Sequence, residues 1–142
     1  MEFSWQSMKK LLNIRSDILL TFMHRTCWRT FCTNEVTGNG HKALTNFFGN
    51  ESWKNATNEE NLIEIYKMNI LKERNDAVIL STQIKSSSNF SYTLIFITHK
   101  TEGDNPWMKS IREVKEEIEK HSDLAVKMSL DIIKNRQATL DF

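Results

Sequence analysis

The sequence predicts a mixed α/β domain, laid out like the second half of a doubly wound sheet and carrying an antiparallel β-hairpin and a long C-terminal helix. Three observations predict it. Asp17-Ile18-Leu19-Leu20-Thr21-Phe22 is a short run whose apolar residues are consecutive rather than alternate, the pattern of a parallel strand covered on both faces. Residues 77–84 and 90–98 are β-branched and apolar and are separated by Lys85-Ser86-Ser87-Ser88-Asn89, the pattern of two adjacent antiparallel strands joined by a loop. Between and after these strands, apolar residues recur at helical spacing.

In chain order, Phe3, Trp5, Met8, Leu11, Leu12 and Ile14 give a short helix over 5–12, with Ser4 as its N-cap. It leads into the strand at Asp17. Met23, Cys27, Trp28 and Phe31 mark a helical face after that strand, with Arg25 and Arg29 four residues apart on another. Residues 33–40 are polar and read as a loop. Residues 42–48 form a short helix that buries Ala43, Leu44, Phe47 and Phe48 and stops at Gly49. Asn58 caps the next helix, with Glu59 and Glu60 in its first turn, where the dipole favours acids. Leu62, Ile65, Tyr66, Asn69, Ile70 and Leu71 line its inner face.

After the hairpin, Asn105-Pro106 opens the C-terminal helix. Trp107, Ile111, Val114 and Ile118 form its stripe, His121-Ser122-Asp123 is a candidate break, and residues 124–135 continue or restart it. This divides the chain into an α/β part, residues 1–110, and a helical extension with a tail, residues 111–142.

Composition narrows the function. With 142 residues and a formal net charge of +1, the chain has room for one domain and shows no overall basic excess of the kind nucleic-acid binders carry. Apolar runs such as residues 18–20 and 94–97 fall far short of the roughly 18 residues a membrane helix needs. Residues 1–10 lack a signal-peptide pattern, so the cytoplasm is the expected compartment and no membrane partner is expected. Cys27 and Cys32 do not make a disulfide framework. The four glycines, Gly38, Gly40, Gly49 and Gly103, supply no strand–GxGxxG–helix cradle, so no cofactor site is expected on this chain.

Ordered along residues 1–110, Trp5, Ile18-Leu19-Leu20-Thr21-Phe22-Met23, Arg29, Phe47-Phe48-Gly49 with Trp53, Tyr66, Tyr92-Thr93-Leu94-Ile95-Phe96-Ile97-Thr98-His99, Gly103 and Met108-Lys109 resemble the three-Cys-motif partner protein family, TcmP. The resemblance implies a partial Rossmann-like, methyltransferase-like fold, with S-adenosylmethionine as cofactor of the complete family domain. Thr21 stands where the family usually has asparagine. The family's glycine-rich first loop and the Asp-Pro turn of its active-site rim would precede Met1. The resemblance therefore implies a C-terminal part of such a protein, inactive alone. Its implied partners are an upstream N-terminal half or a protein of the three-Cys-motif kind. An exposed edge at residues 18–22 would then favour dimerisation, aggregation or an N-terminal partner chain. The alternative is a non-enzymatic module that binds a protein or nucleic acid through the hairpin and the C-terminal helix.

Candidate site residues are few. Arg25 and Arg29, just past a strand's C-terminal end, could hold a phosphate or carboxylate or simply form a solvated helix face. His99 at the end of the last strand could serve as a general base or sit in a loop without a chemical role. His24, Cys27, Cys32 and His41 lack close-pair zinc spacing, and the cysteines read better as buried small hydrophobes. Trp5, Trp28, Trp53 and Trp107 could stack nucleobases, but tryptophans this dispersed read as packing. The tail from Gln137 to Phe142 only partly matches a sliding-clamp-binding box, since Phe142 stands fifth after Gln137 where the box has its aromatics sixth and seventh.

Overall fold

The computed structural model describes residues 3–14, 16–33, 38–85, 90–100 and 106–140. Its elements are α1 (Trp5–Asn13), β1 (Ile18–Phe22), α2 (His24–Cys32), α3 (Asn39–Phe48), a 3-10 turn (Ser52–Asn55), α4 (Glu59–Glu73), β2 (Ala77–Lys85), β3 (Ser91–His99) and α5 (Pro106–Leu140). The predicted loop at residues 85–89 and the predicted cap Asn105 lie, apart from Lys85, outside the described residues.

The three strands form one sheet in the order β1-β3-β2. β3 is antiparallel to both neighbours, with Ile18 opposite Ile97 on one side and Ala77 opposite His99 on the other. β1 and β2 therefore run in the same direction, joined through α2, α3 and α4, with β3 inserted between them. This corrects the expected arrangement. The reversed strand is central, and β1 pairs antiparallel with it rather than with a parallel neighbour.

The expectation that β1 is covered on both faces is also corrected. Ile18 and Phe22 are buried, while Leu19 is 67% exposed. Side chains alternate across a strand, so Ile18, Leu20 and Phe22 share one face with Ile97, Ile95 and Thr93, and Leu19 lies on the other with Phe96. The first face carries the main core, packed by α1 to α4. The second is covered over β2 by α5, leaving β1's outer side chain in the open.

Local signals explain most element ends. Ser4 Oγ accepts from the Ser7 amide, and Asn58 Oδ1 accepts from Asn61, the side-chain caps that the sequence predicts. α3 begins at Asn39, three residues before the predicted start, following Gly38 in a left-handed conformation. On α4, Ile63 is buried and Leu71 exposed, a small rotation of the predicted face. α5 is continuous through His121-Ser122-Asp123. These residues have only modest helix penalties, and Ser122 is buried. The helix therefore also runs unbroken past residue 110 and through most of the expected tail.

The core is an aromatic cluster centred on Tyr66. Its ring stacks on Phe47 at 4.6 Å and meets Trp5, Phe22 and Phe48 at 5.4–5.6 Å. Gly49 ends α3 at φ +83°, and a Cβ there would fall inside the Trp5 indole. Gly49→Ala is therefore expected to cost at least about 2 kcal/mol, from the left-handed backbone and the clash together, measured by urea unfolding. The Tyr66 hydroxyl is buried without a hydrogen-bond partner among the described residues, and burial drives its pKa upward. Tyr66→Phe removes an unsatisfied donor and is expected to raise stability by about 1 kcal/mol in the same assay.

Candidate functional site

The most developed polar arrangement lies where β1 passes into α2. Phe22 ends the strand opposite Thr93, Met23 caps the helix without a side-chain bond, and His24 is the first helical residue. His24 shares its inward face with Cys27, three residues on, and with Trp28 and Phe31. Its imidazole is buried against β3, with Nε2 3.1 Å from Ser91 Oγ and Nδ1 2.9 Å from Thr93 Oγ1. A neutral imidazole has one donor and one acceptor nitrogen. The two hydroxyls can fill both roles in either tautomer.

Burial is the main force lowering the His24 pKa, with Arg25 adding to it and Glu59 and Glu60 opposing it. The imidazole is thus held neutral. Ser91 and Thr93 are themselves buried. The base of a nucleophilic pair is normally oriented by a third group, most often a carboxylate. Here the second nitrogen meets a hydroxyl, and the network ties α2 to β3.

Thr93 also floors a polar cleft of about 440 Å3 beside β2. Its walls come from Glu60 and Glu64 of α4, Gln83 and Lys85 of β2, and Glu119 and Asp123 of α5. The rim is mainly acidic. Two of its carboxylates are engaged, Glu64 by Lys67 Nζ at 3.0 Å and Glu119 by Thr82 Oγ1 at 3.3 Å.

The residues singled out from sequence do not converge. Arg25 is half-buried and pairs with Glu59 at 3.7 Å, bridging α2 and α4. Arg29 is exposed in the last turn of α2. His99 closes β3 at the far end of the strand from Thr93, opposite Ala77, roughly 20 Å away at strand rise. Its Nδ1 is buried without a partner among the described residues. Cys27 is buried, and burial pushes its thiol up to about 12. Cys32, expected to be buried, is instead exposed at the end of α2, and His41 packs on Trp53 at 5.1 Å. Among the described residues, no three His, Cys, Asp or Glu side chains are grouped to hold a metal. Trp53 Nε1 donates to Thr45 Oγ1 at 3.0 Å, and Trp28 stacks on Phe31 at 4.9 Å. Sequence reasoning considered His24 only as a zinc ligand. Its link to Ser91-x-Thr93 was readable only as two hydroxyls with the inward parity of β3.

Gly38 opens α3 in a left-handed conformation, and the space beside Gly49 is filled by Trp5. Gly103 is outside the described residues. Among the described residues, no helix is long and apolar enough to cross a membrane. Comparison with protein families, curated proteins and solved structures found no match to the chain.

The folded pKa of His24 lies below its unfolded value of about 6.5. Below about pH 6.5 the unfolded chain therefore binds more protons, and stability falls as the pH drops. Urea unfolding at about pH 7.5 and about pH 5 is expected to show this loss, and His24→Gln, though less stable throughout, is expected to show a flatter pH profile.

Proposed function

We propose that this chain is the C-terminal part of a methyltransferase-like α/β unit of the three-Cys-motif partner type, working in the cytoplasm and depending on a separate segment for its cofactor site. The observation that carries this reading is the open edge of β1. Among the described residues, β1 has β3 on one side and no strand on the other. β1 and β2 are parallel strands joined by helices, a split βαβ arrangement, and both faces of the sheet carry helices, as in doubly wound folds. A further parallel strand added at β1 would extend such a sheet.

The residues that carry the resemblance add support. Trp5, Phe22, Phe47, Phe48 and Tyr66 meet in one aromatic cluster, with Gly49 against Trp5. Those positions are thus tied to one another by packing. Arg25 and Arg29 remain candidates for binding an anionic group of a substrate or partner, and His99 for a polar contact at the other end of β3.

A second reading is a non-enzymatic module that binds a partner protein or nucleic acid. It is favoured by the exposed apolar residues Leu124, Met128, Leu130, Ile132 and Ile133 on α5.

Calorimetric titration of S-adenosylmethionine into this chain alone is expected to give no binding heat, and binding in that titration contradicts the proposal. Translation of the DNA directly upstream of Met1 in all three frames is expected to give a strand followed by a glycine-rich loop. A promoter and a clean start there favour the second reading.

A further inference from the structure

β2 is an edge strand whose open side is regular. It pairs with β3 residue for residue from Ala77 to Lys85, nine positions without a bulge, and it contains no proline. Among the described residues no strand lies on its other side. Val78 to Lys85 are half-buried whichever face of the sheet they belong to, as a strand open at its margin should be. Such an edge presents a row of unpaired N–H and C=O groups, a template for one more strand.

The polar cleft floored by Thr93 is the approach to that edge. It touches Ser81, Thr82 and Gln83 in succession. Side chains alternate across a strand, so Ser81 and Gln83 belong to the inner face with Ile95 and Thr93, and Thr82 belongs to the outer face with Leu94. The same cleft reaches α4 on the inner side and α5 on the outer side. A space that reaches both layers passes around the margin of the sheet at β2.

Each layer brings acids to that margin. Glu60 and Glu64 come from α4, Glu119 and Asp123 from α5, and Lys85 is the one cation in the lining. Glu64 is met by Lys67 at 3.0 Å and Glu119 by Lys115 at 3.8 Å, while Glu60 and Asp123 have no ion pair among the described residues. Ser122 also lines the cleft. It is 6% exposed, and its hydroxyl makes no hydrogen bond among the described residues. A buried hydroxyl in that state, on the wall of a polar space, is a group that a bound polar ligand would satisfy.

We propose that the free edge of β2 takes up an extended, lysine- or arginine-rich segment of another protein as an added strand. Main-chain hydrogen bonds to β2 supply the pairing, and alternate side chains of the added strand point to opposite walls. Basic side chains of one parity then meet Glu60 and Glu64, and those of the other meet Glu119 and Asp123. Charge selects this occupant. A second copy joined edge to edge through β2 would set its own acidic walls against these across a twofold axis, and opposed like charges disfavour that pairing. An acidic or uncharged strand leaves the carboxylates unanswered. The proposal concerns the margin of the sheet opposite β1 and stands whether or not a strand adds there.

The test is a low-salt titration of the full chain with an acetylated and amidated octapeptide, Lys-Lys-Thr-Thr repeated twice, which places lysines on both faces of a strand. Calorimetry is expected to show binding, and the backbone amides of residues 79–85 are expected to shift and to gain protection from hydrogen exchange. The same peptide with glutamate for lysine is expected not to bind. Its Lys-Lys-Pro-Pro counterpart keeps the charge but cannot form a ladder, and is expected to bind about tenfold more weakly or worse. Glu60→Gln combined with Asp123→Asn, both on exposed helix positions, is expected to weaken binding about tenfold with circular dichroism unchanged. Absence of binding overturns the proposal. So does a double variant of undiminished affinity, binding that shifts the amides of β1 rather than β2, or equal affinity for the proline peptide or for spermine, which would make the cleft a site for diffuse cations.

Discussion

β3 is the constraint on which the rest of this protein depends. It is hydrogen-bonded to β1 along one edge and to β2 along the other, and it presents Thr93, Ile95 and Ile97 to the main core. Because it runs against both neighbours, the chain must leave β1 and return as β2 in the same direction, which a tight turn cannot accomplish. The helical crossover through α2, α3 and α4 is the consequence. The aromatic cluster around Tyr66 fills the space between that crossover and the sheet. His24 is the polar fastening at one end, where the crossover begins, and the Thr98–Asp17 hydrogen bond at 2.7 Å is its counterpart at the other.

The cluster shows how a few positions come to be tightly specified. Tyr66 is fully buried among four other aromatic rings, so its ring is fixed on every side while its hydroxyl has no hydrogen-bond partner among the described residues. Gly49 gives Trp5 room to close the cluster over the end of α3. Both features place packing above polar satisfaction, the usual order in an apolar interior. The polar groups that are satisfied there, such as Asn69 Nδ2 donating to the Phe48 carbonyl at 3.1 Å, hold loops rather than ligands.

Much of this architecture was legible in the sequence because it is local. Ser4 and Asn58 mark helix starts by their side-chain chemistry, Gly49 marks a stop, and the two β-branched runs mark the hairpin strands. The direction of β1 was not legible. Consecutive apolar residues announce a buried strand, but the partner that sets its direction lies more than seventy residues away. Leu19 reads as interior and is exposed, because α5 covers the outer face over β2 rather than over β1. The candidate site was less legible still. Arg25 and Arg29 stood out as charges on a helix face, while His24 stood out only as a zinc ligand. Only its position at the end of β1, against the hydroxyls that begin β3, makes it part of a network. The interruption expected at His121-Ser122-Asp123 failed for a simple reason: no residue there has a backbone that resists helix, and Ser122 is held against the sheet.

At 35 residues, α5 is a rod about 50 Å long, while the other helices among the described residues have at most 15 residues. A body with such a member does not tumble as a sphere does. Rotation about the long axis of α5 meets less friction than rotation across it. Backbone amides in α5, whose bond vectors all point nearly along that axis, should therefore relax in a nuclear magnetic resonance experiment as though they belonged to a heavier molecule than the sheet to which they are attached.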